Sequence, residues 1–175
     1  MLPLQSALVV LVPEAEELVG PFRERYDPSA CASMPAHITL LFPFKPTDEI
    51  GEAVFDTLSQ CFTRFGAFDF SLTTIRRFSR EVLYLAPEPD EPFRRLTLAI
   101  CDCYPETPPY GGRYSSVVPH LTIAQISDEP QLERIAVQFA QGSPGRLPIR
   151  MTASEIALMD TLAGRWQVRA SFTLR

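Results

Sequence analysis

Positive charge is scarce in this chain. It has 16 Lys and Arg against 21 Asp and Glu in 175 residues, a formal net charge of −5, with a pI near 5.1. No run of Lys and Arg stands out, which excludes a protein that coats duplex DNA through many phosphate contacts. A short oligonucleotide or a nucleotide bound in a local cleft stays within reach. Long apolar runs are missing too. The N-terminal stretch Leu8-Val9-Val10-Leu11-Val12 is too short to cross a bilayer, and neither a preceding basic residue nor a clean cleavage site marks it as a signal peptide. The four cysteines, Cys31, Cys61, Cys101 and Cys103, form no Cys-x-x-Cys pair and no zinc spacing, so buried free thiols in a reducing, cytoplasmic setting are expected. What is abundant is apolar side chain, 46% of the residues, enough for a core in one domain or two small fused lobes. Oligomeric state is open, and a monomer is compatible with this surface.

The elements alternate without the regular strand–helix rhythm of a doubly wound sheet. Ser6 to Val12 reads as a buried strand ended by Pro13, and Glu14 to Tyr26 as a helix with acidic residues at its start. Ala36 to Phe42 reads as a strand. A helix capped by Thr47 is expected to run to about Phe65. Phe68 to Arg77 and Val82 to Ala86 form a hairpin across Ser79-Arg80. Pro92 to Asp102 reads as a helix, and the Pro- and Gly-dense stretch 105–112 as an ordered loop. Then the pattern restarts: a strand over Val117 to Ala124, a helix capped by Ser127, and a closing hairpin from Arg146 to Met159 and Trp166 to Leu174. Strands and helices in mixed order with hairpins predict an α+β fold.

Histidine is scarce, with 2 in the chain, and each opens the same kind of tripeptide. One lies in Met34-Pro35-Ala36-His37-Ile38-Thr39-Leu40-Leu41-Phe42, the other in Val117-Val118-Pro119-His120-Leu121-Thr122-Ile123-Ala124. Side chains two apart on a strand share a face, so each segment presents an imidazole beside a hydroxyl. A histidine beside a strand is usually structural, and Thr is a good strand former. Yet with Thr at 12 of 175 residues, both histidines have a Thr two places on by chance only about once in two hundred trials. The two histidines stand 83 residues apart, about half the chain (120 − 37). We read this as a structural duplication that sets the two motif strands against each other.

These paired His-x-Thr segments, one per half of a chain this size, resemble the two-histidine (2H) phosphoesterase superfamily. Within it the resemblance is to the 2'-5' RNA ligase-like group, which includes RNA 2',3'-cyclic phosphodiesterases. The stretch Pro108-Pro109-Tyr110-Gly111-Gly112-Arg113-Tyr114 before the second motif is similar to the bacterial branch. The resemblance covers nearly the whole chain in element order, though its specific part is the two motifs and that loop. It implies a bilobal fold over residues 1–175: two intertwined antiparallel-sheet lobes with pseudo-twofold symmetry around a central cleft, each giving one His-x-Thr strand. It also implies His37 as acid, His120 as base, and Thr39 and Thr122 as phosphate binders. Ala124-Gln125 departs from the group, which often has Gly and further basic residues there, and this bears on RNA specificity.

The chemistry follows from the residue types. Imidazole titrates near neutrality, so one ring can take a proton while the other gives one, without a cofactor. The Thr hydroxyls can donate to non-bridging phosphate oxygens. Arg113 and Tyr114 are candidate substrate-binding residues, as a phosphate partner and a base-stacking ring, and Phe42 is a candidate flank for a nucleobase. Arg76-Arg77 and Arg94-Arg95 read as solvated basic pairs. The function expected is a metal-independent phosphodiesterase or ligase acting on 2',3'-cyclic phosphate or 2'-5' linked ends. The same core could act on a small cyclic nucleotide or ADP-ribose cyclic phosphate, or grip phosphate without turnover. A metal site is disfavoured because neither motif carries a carboxylate at ligand spacing.

Overall fold

The structure, a computed structural model, describes residues 4–114 and 116–175. Strand β1 (Ser6–Leu11) is buried along almost its whole length, as a run apolar on both faces must be. It lies between β2 (His37–Leu41) and β7 (Glu155–Asp160), with β8 (Gln167–Thr173) beyond, giving one four-stranded sheet in the order β2-β1-β7-β8. The second sheet has the order β5-β4-β3-β6, built from β3 (Phe68–Phe78), β4 (Val82–Glu88), β5 (Leu121–Gln125) and β6 (Ile149–Ala153). All pairings are antiparallel, so the α+β class and the two antiparallel-sheet lobes expected from the sequence hold.

The helices each take one sheet. Helices α3 (Glu52–Phe62) and α4 (Glu91–Cys103) pack on the first, against β8 and β2. Helices α1 (Glu16–Tyr26) and α5 (Glu129–Gly142) pack on the second, with the short α2 (Pro28–Cys31) following α1. Most of the buried side chains form one cluster drawn from both sheets. The edge-on stacking of Phe93 from α4 on Phe70 from β3, centroids 5.0 Å apart, joins the lobes within it. A second, small cluster lies on the other face of the first sheet, where Trp166 packs with Val9, Met34, Ala157 and Met159.

Several boundaries differ from the sequence reading. The expected strand over Arg146–Met159 is two strands, β6 and β7, hinged at Ser154 and belonging to different sheets. An apolar alternation cannot reveal which sheet a strand joins. The helix expected from Glu14 starts with a 3-10 turn at Pro13–Ala15, and the one expected from Thr47 starts at Glu52 after a 3-10 turn over Thr47–Glu49. Asp128, not Ser127, caps α5, its carboxylate accepting from Gln131 N–H at 2.8 Å. Cys61 is buried, which pushes its thiol up to about 11, whereas Cys31 is exposed, contrary to expectation. Among the described residues, no helix is long and apolar enough to cross a membrane.

Candidate active site

The two motif strands are the edges at which the sheets meet: β2 ends the first sheet, β5 ends the second, and they touch. His37 opens β2, and His120 stands one residue before β5, whose start lies four residues later than expected. The alternation of each strand buries Ile38 and Leu40, or Leu121 and Ile123, and leaves His37, Thr39, His120 and Thr122 half-buried on the opposite face. All four motif residues therefore gather along one seam.

The two histidines are held alike. His37 Nδ1 lies 2.7 Å from the Pro35 carbonyl, and His120 Nδ1 lies 2.7 Å from the Val118 carbonyl. A carbonyl only accepts, so each Nδ1 carries a proton and donates it. Each neutral ring is thus left with a bare Nε2 lone pair. The carbonyl one residue further back is held as well, in both cases by an arginine from a helix. Arg23 of α1 donates Nη2 to the Met34 carbonyl at 3.0 Å, and Arg94 of α4 donates Nη1 to the Val117 carbonyl. Each arginine is oriented by an aspartate four residues away. Arg23 Nε meets Asp27 at 2.9 Å with both side chains buried, and Arg94 Nη2 meets Asp90 at 2.8 Å with both half-open to solvent. Glu16 of α1 also accepts from Ala36 N–H, and Thr97 of α4 donates to the Leu40 carbonyl at 2.8 Å.

Their surroundings disfavour the charged form of both rings. Burial, then the neighbouring Arg23 charge, lowers His37 to about 4; the Pro35 carbonyl and Asp27 pull the other way, and a charge on His120 lowers it further. Burial also lowers His120, against the Val118 carbonyl and Asp27. The ring of His120 stands edge-on to Phe78, centroids 4.7 Å apart, and to Tyr84 at 5.5 Å, and these rings keep water off it.

The other candidate residues spread around this seam. Phe42 stacks edge-on against Trp166 at 6.1 Å, and its carbonyl accepts from Tyr110 N–H at 2.6 Å, which ties the Pro/Gly loop to the end of the first motif. In that loop Tyr110, Gly111 and Gly112 have φ of +52°, +63° and +76° in succession, a left-handed path that costs a tyrosine about 1–2 kcal/mol and glycine little. Arg113 and Tyr114 follow, both exposed, with the Tyr114 ring against that of Tyr110 at 5.7 Å. The sequence reading missed Arg23, Asp27 and Arg94. An Arg–Asp pair at i,i+4 on a helix looks like an ordinary solvated pair, and only burial or a distant carbonyl partner reveals otherwise. A concavity of about 690 Å³ lined by Glu14, Asp69, Ser71, Glu88, Arg150 and Thr152, among others, lies apart from the four motif residues, and its carboxylates suit an anion poorly.

Comparison with known proteins agrees with this arrangement. The family model of the 2'-5' RNA ligase superfamily matches residues 11–165. A protein of Bacillus pumilus (strain SAFR-032) named "Putative phosphoesterase" is 32% identical over 127 residues, covering 69% of this chain and 71% of that one. Among solved structures, E. coli LigT in complex with 3'-AMP superposes with a TM-score of 0.62 at 17% identity, covering 99% of each chain. The same protein has been solved with NADP+, ATP and phosphate. The Thermus thermophilus protein TT0787 superposes with a TM-score of 0.62 at 17% identity over 98% of each chain. These likenesses show the bilobal fold, and the match over most of its length shows that the chain belongs to the 2'-5' RNA ligase superfamily, the 2H phosphoesterases.

Proposed function

We propose that this protein is a phosphodiesterase that opens 2',3'-cyclic phosphates at nucleotide or RNA ends, and in reverse ligates such ends, by two-histidine acid–base catalysis. The observation that carries the reading is the seam itself: two His-x-Thr pairs on touching strands, both imidazoles locked in the tautomer that leaves Nε2 bare. Nucleotide ligands in LigT, a protein of the same fold, agree with it.

In the hydrolytic direction a neutral Nε2 takes the proton of the attacking water as its oxygen bonds to phosphorus. The other histidine, charged, gives its Nε2 proton to the departing ribose oxygen as the P–O bond breaks. The product is a nucleoside 2'- or 3'-phosphate. Thr39 and Thr122 donate to the non-bridging oxygens, where charge grows. An anionic diester between the rings favours the charged imidazolium that burial disfavours. Arg23 opposes charge on His37 specifically, so His37 suits the base and His120 the acid in hydrolysis, the reverse of the roles the family resemblance implies. The roles exchange in ligation. Arg113 and Tyr114, exposed in the loop tied to the end of the first motif, bind the nucleotide, and Phe42 flanks its base. No step needs a metal, and among the described residues no three His, Cys, Asp or Glu side chains are grouped to hold one.

The test is hydrolysis of 2',3'-cyclic nucleotides and of a short RNA with a cyclic phosphate end, for wild type, His37→Ala and His120→Ala, in excess chelator. The expected result is chelator-resistant turnover that falls about 10²–10⁴-fold in each variant. Turnover abolished by chelator, or unaffected by either substitution, would sink the proposal.

A further inference from the structure

The adjacent pair Arg76-Arg77 is split by the sheet. Arg77 points to the helix side and meets Glu133 of α5 at 2.6 Å. Arg76 points the other way and is exposed. Among the described residues it has neither an ion pair nor a hydrogen-bond partner.

Its side of the sheet is the side of the reaction. Arg76 of β3 is paired with Tyr84 of β4, and Tyr84 with Thr122 of β5. Directly paired residues of antiparallel strands share a face, so Arg76, Tyr84 and Thr122 form one row across three strands. Two strand spacings put the Arg76 backbone about 10 Å from that of Thr122. The rings mark the same face. Phe78 lies two residues along β3 from Arg76, on the same side, and its ring reaches to 4.7 Å from His120. Arg76 starts nearer to the motif along the strand and carries a longer side chain.

We propose that Arg76 forms a second anion subsite that takes a phosphate one nucleoside removed from the reacting one, on the 5' side. This rests on the cyclic phosphodiesterase reading above. A guanidinium presents forked N–H donors that match a phosphate, and an unpaired one loses no existing ion pair on binding it. The phosphate at the histidines is bound by Thr39 and Thr122. A nucleoside laid along the row over Tyr84 brings its 5' oxygen toward β3. The chain would thus distinguish substrates by their second phosphate, whether that is a terminal 5'-phosphate or an internucleotide link. An acidic protein without basic runs can thus select nucleotide ends: Arg76, in register with the site, adds to the contact that Arg113 makes with the nucleotide.

Three substrates separate the cases: a nucleoside 2',3'-cyclic phosphate, the same with a 5'-phosphate, and a dinucleotide ending in a cyclic phosphate. For wild type, kcat/KM for the second or third should exceed the first by about tenfold or more. In Arg76→Gln that ratio should fall to near one, and in Arg76→Lys to an intermediate value, with Tm unchanged in both. Preference for the 5'-phosphate alone points to a mononucleotide substrate, and for the dinucleotide alone to an RNA end. Equal turnover of all three by wild type, or a ratio that survives Arg76→Gln, would overturn the subsite and leave the two-histidine reading standing. Binding decides independently of turnover. Wild type should hold adenosine 3',5'-bisphosphate about tenfold tighter than 3'-AMP, and Arg76→Gln should hold them equally. If none of the substrates turns over but this binding difference appears, the hydrolytic reading fails and the subsite stands. Equal binding of the two by wild type overturns the subsite.

Discussion

The seam places two imidazoles of the same tautomer in different electrostatic surroundings, and that asymmetry sets a pH signature. The base must be neutral, which requires a pH above its own pKa. The acid must be charged, which requires a pH below its own. His37 is lowered to about 4 and His120 is lowered from 6.5. The kcat/KM profile of free enzyme should therefore be a bell displaced to acid, with its rising limb near 4 and its falling limb below 6.5, the two limbs belonging to the pair rather than to either ring. Replacing Arg23 removes the nearby positive charge, so the rising limb should move up toward neutrality. A bell centred on the alkaline side of neutrality would contradict this account of the site. Leaving-group chemistry assigns the roles. On a p-nitrophenyl phosphodiester, whose leaving group departs without a proton, His120→Ala should lose far less activity than on a cyclic nucleotide, while His37→Ala should lose as much on both. The motif residues were legible because each tripeptide is local and the chain has only two histidines to place. Their carbonyl partners, two residues back, could have been suggested by the nearby prolines. The charges that distinguish one ring from the other could not, since nothing in the sequence shows that the end of the first helix turns Arg23 and Asp27 back onto the first motif.

At the scale of elements, helices brace the motifs crosswise. Helix α1 packs on β5 yet holds the lead-in to β2 through Arg23 and Glu16. Helix α4 packs on β2 yet holds the lead-in to β5 through Arg94. Each helix thereby couples one motif to the other, and the relative placing of the two rings depends on both. The two braces differ in burial, which predicts different failures. Arg23→Met leaves the Asp27 carboxylate buried and unpaired, and should destabilise the fold by about 3–5 kcal/mol, read as the denaturation midpoint. Arg94→Met breaks a pair already open to water and should cost only about 1 kcal/mol. Its effect belongs to geometry: kcat should drop about tenfold or more with KM little changed, because releasing the Val117 carbonyl loosens the segment whose next carbonyl, Val118, anchors His120. An Arg94→Met protein with wild-type kcat would show the brace to be idle. Element type was legible here, because the α3, α4 and α5 segments carry apolar residues at helical spacing and the β1 and β2 segments are β-rich runs. Cross-bracing was not, since Arg94 and Asp90 read from sequence as one more helical surface pair.

At the scale of the molecule, the chain visits the first sheet, leaves it for four strands of the second, and returns through Ser154 to finish the first. The sequence suggested two halves, each with its own motif, helix and hairpin. The structure instead lends the hairpin after the first motif, β3 and β4, to the sheet of the second, and gives β7 and β8 back to the sheet of the first. Periodicity marks strands but not their partners, so this exchange was out of sight. It has a consequence for folding: neither sheet can be completed without the other half of the chain, and the lobes should unfold together. The single tryptophan, Trp166, reports on the first sheet alone. Phe139 of α5 is fully buried, edge-on to Phe22 at 5.2 Å, in the main cluster and not in that of Trp166. Phe139→Ala should cost about 3–5 kcal/mol. If residues 1–175 fold as one unit, the Trp166 fluorescence transition must shift by that whole amount and stay coincident with far-UV circular dichroism. Independent lobes would leave the Trp166 transition where it was and split the dichroism into two steps.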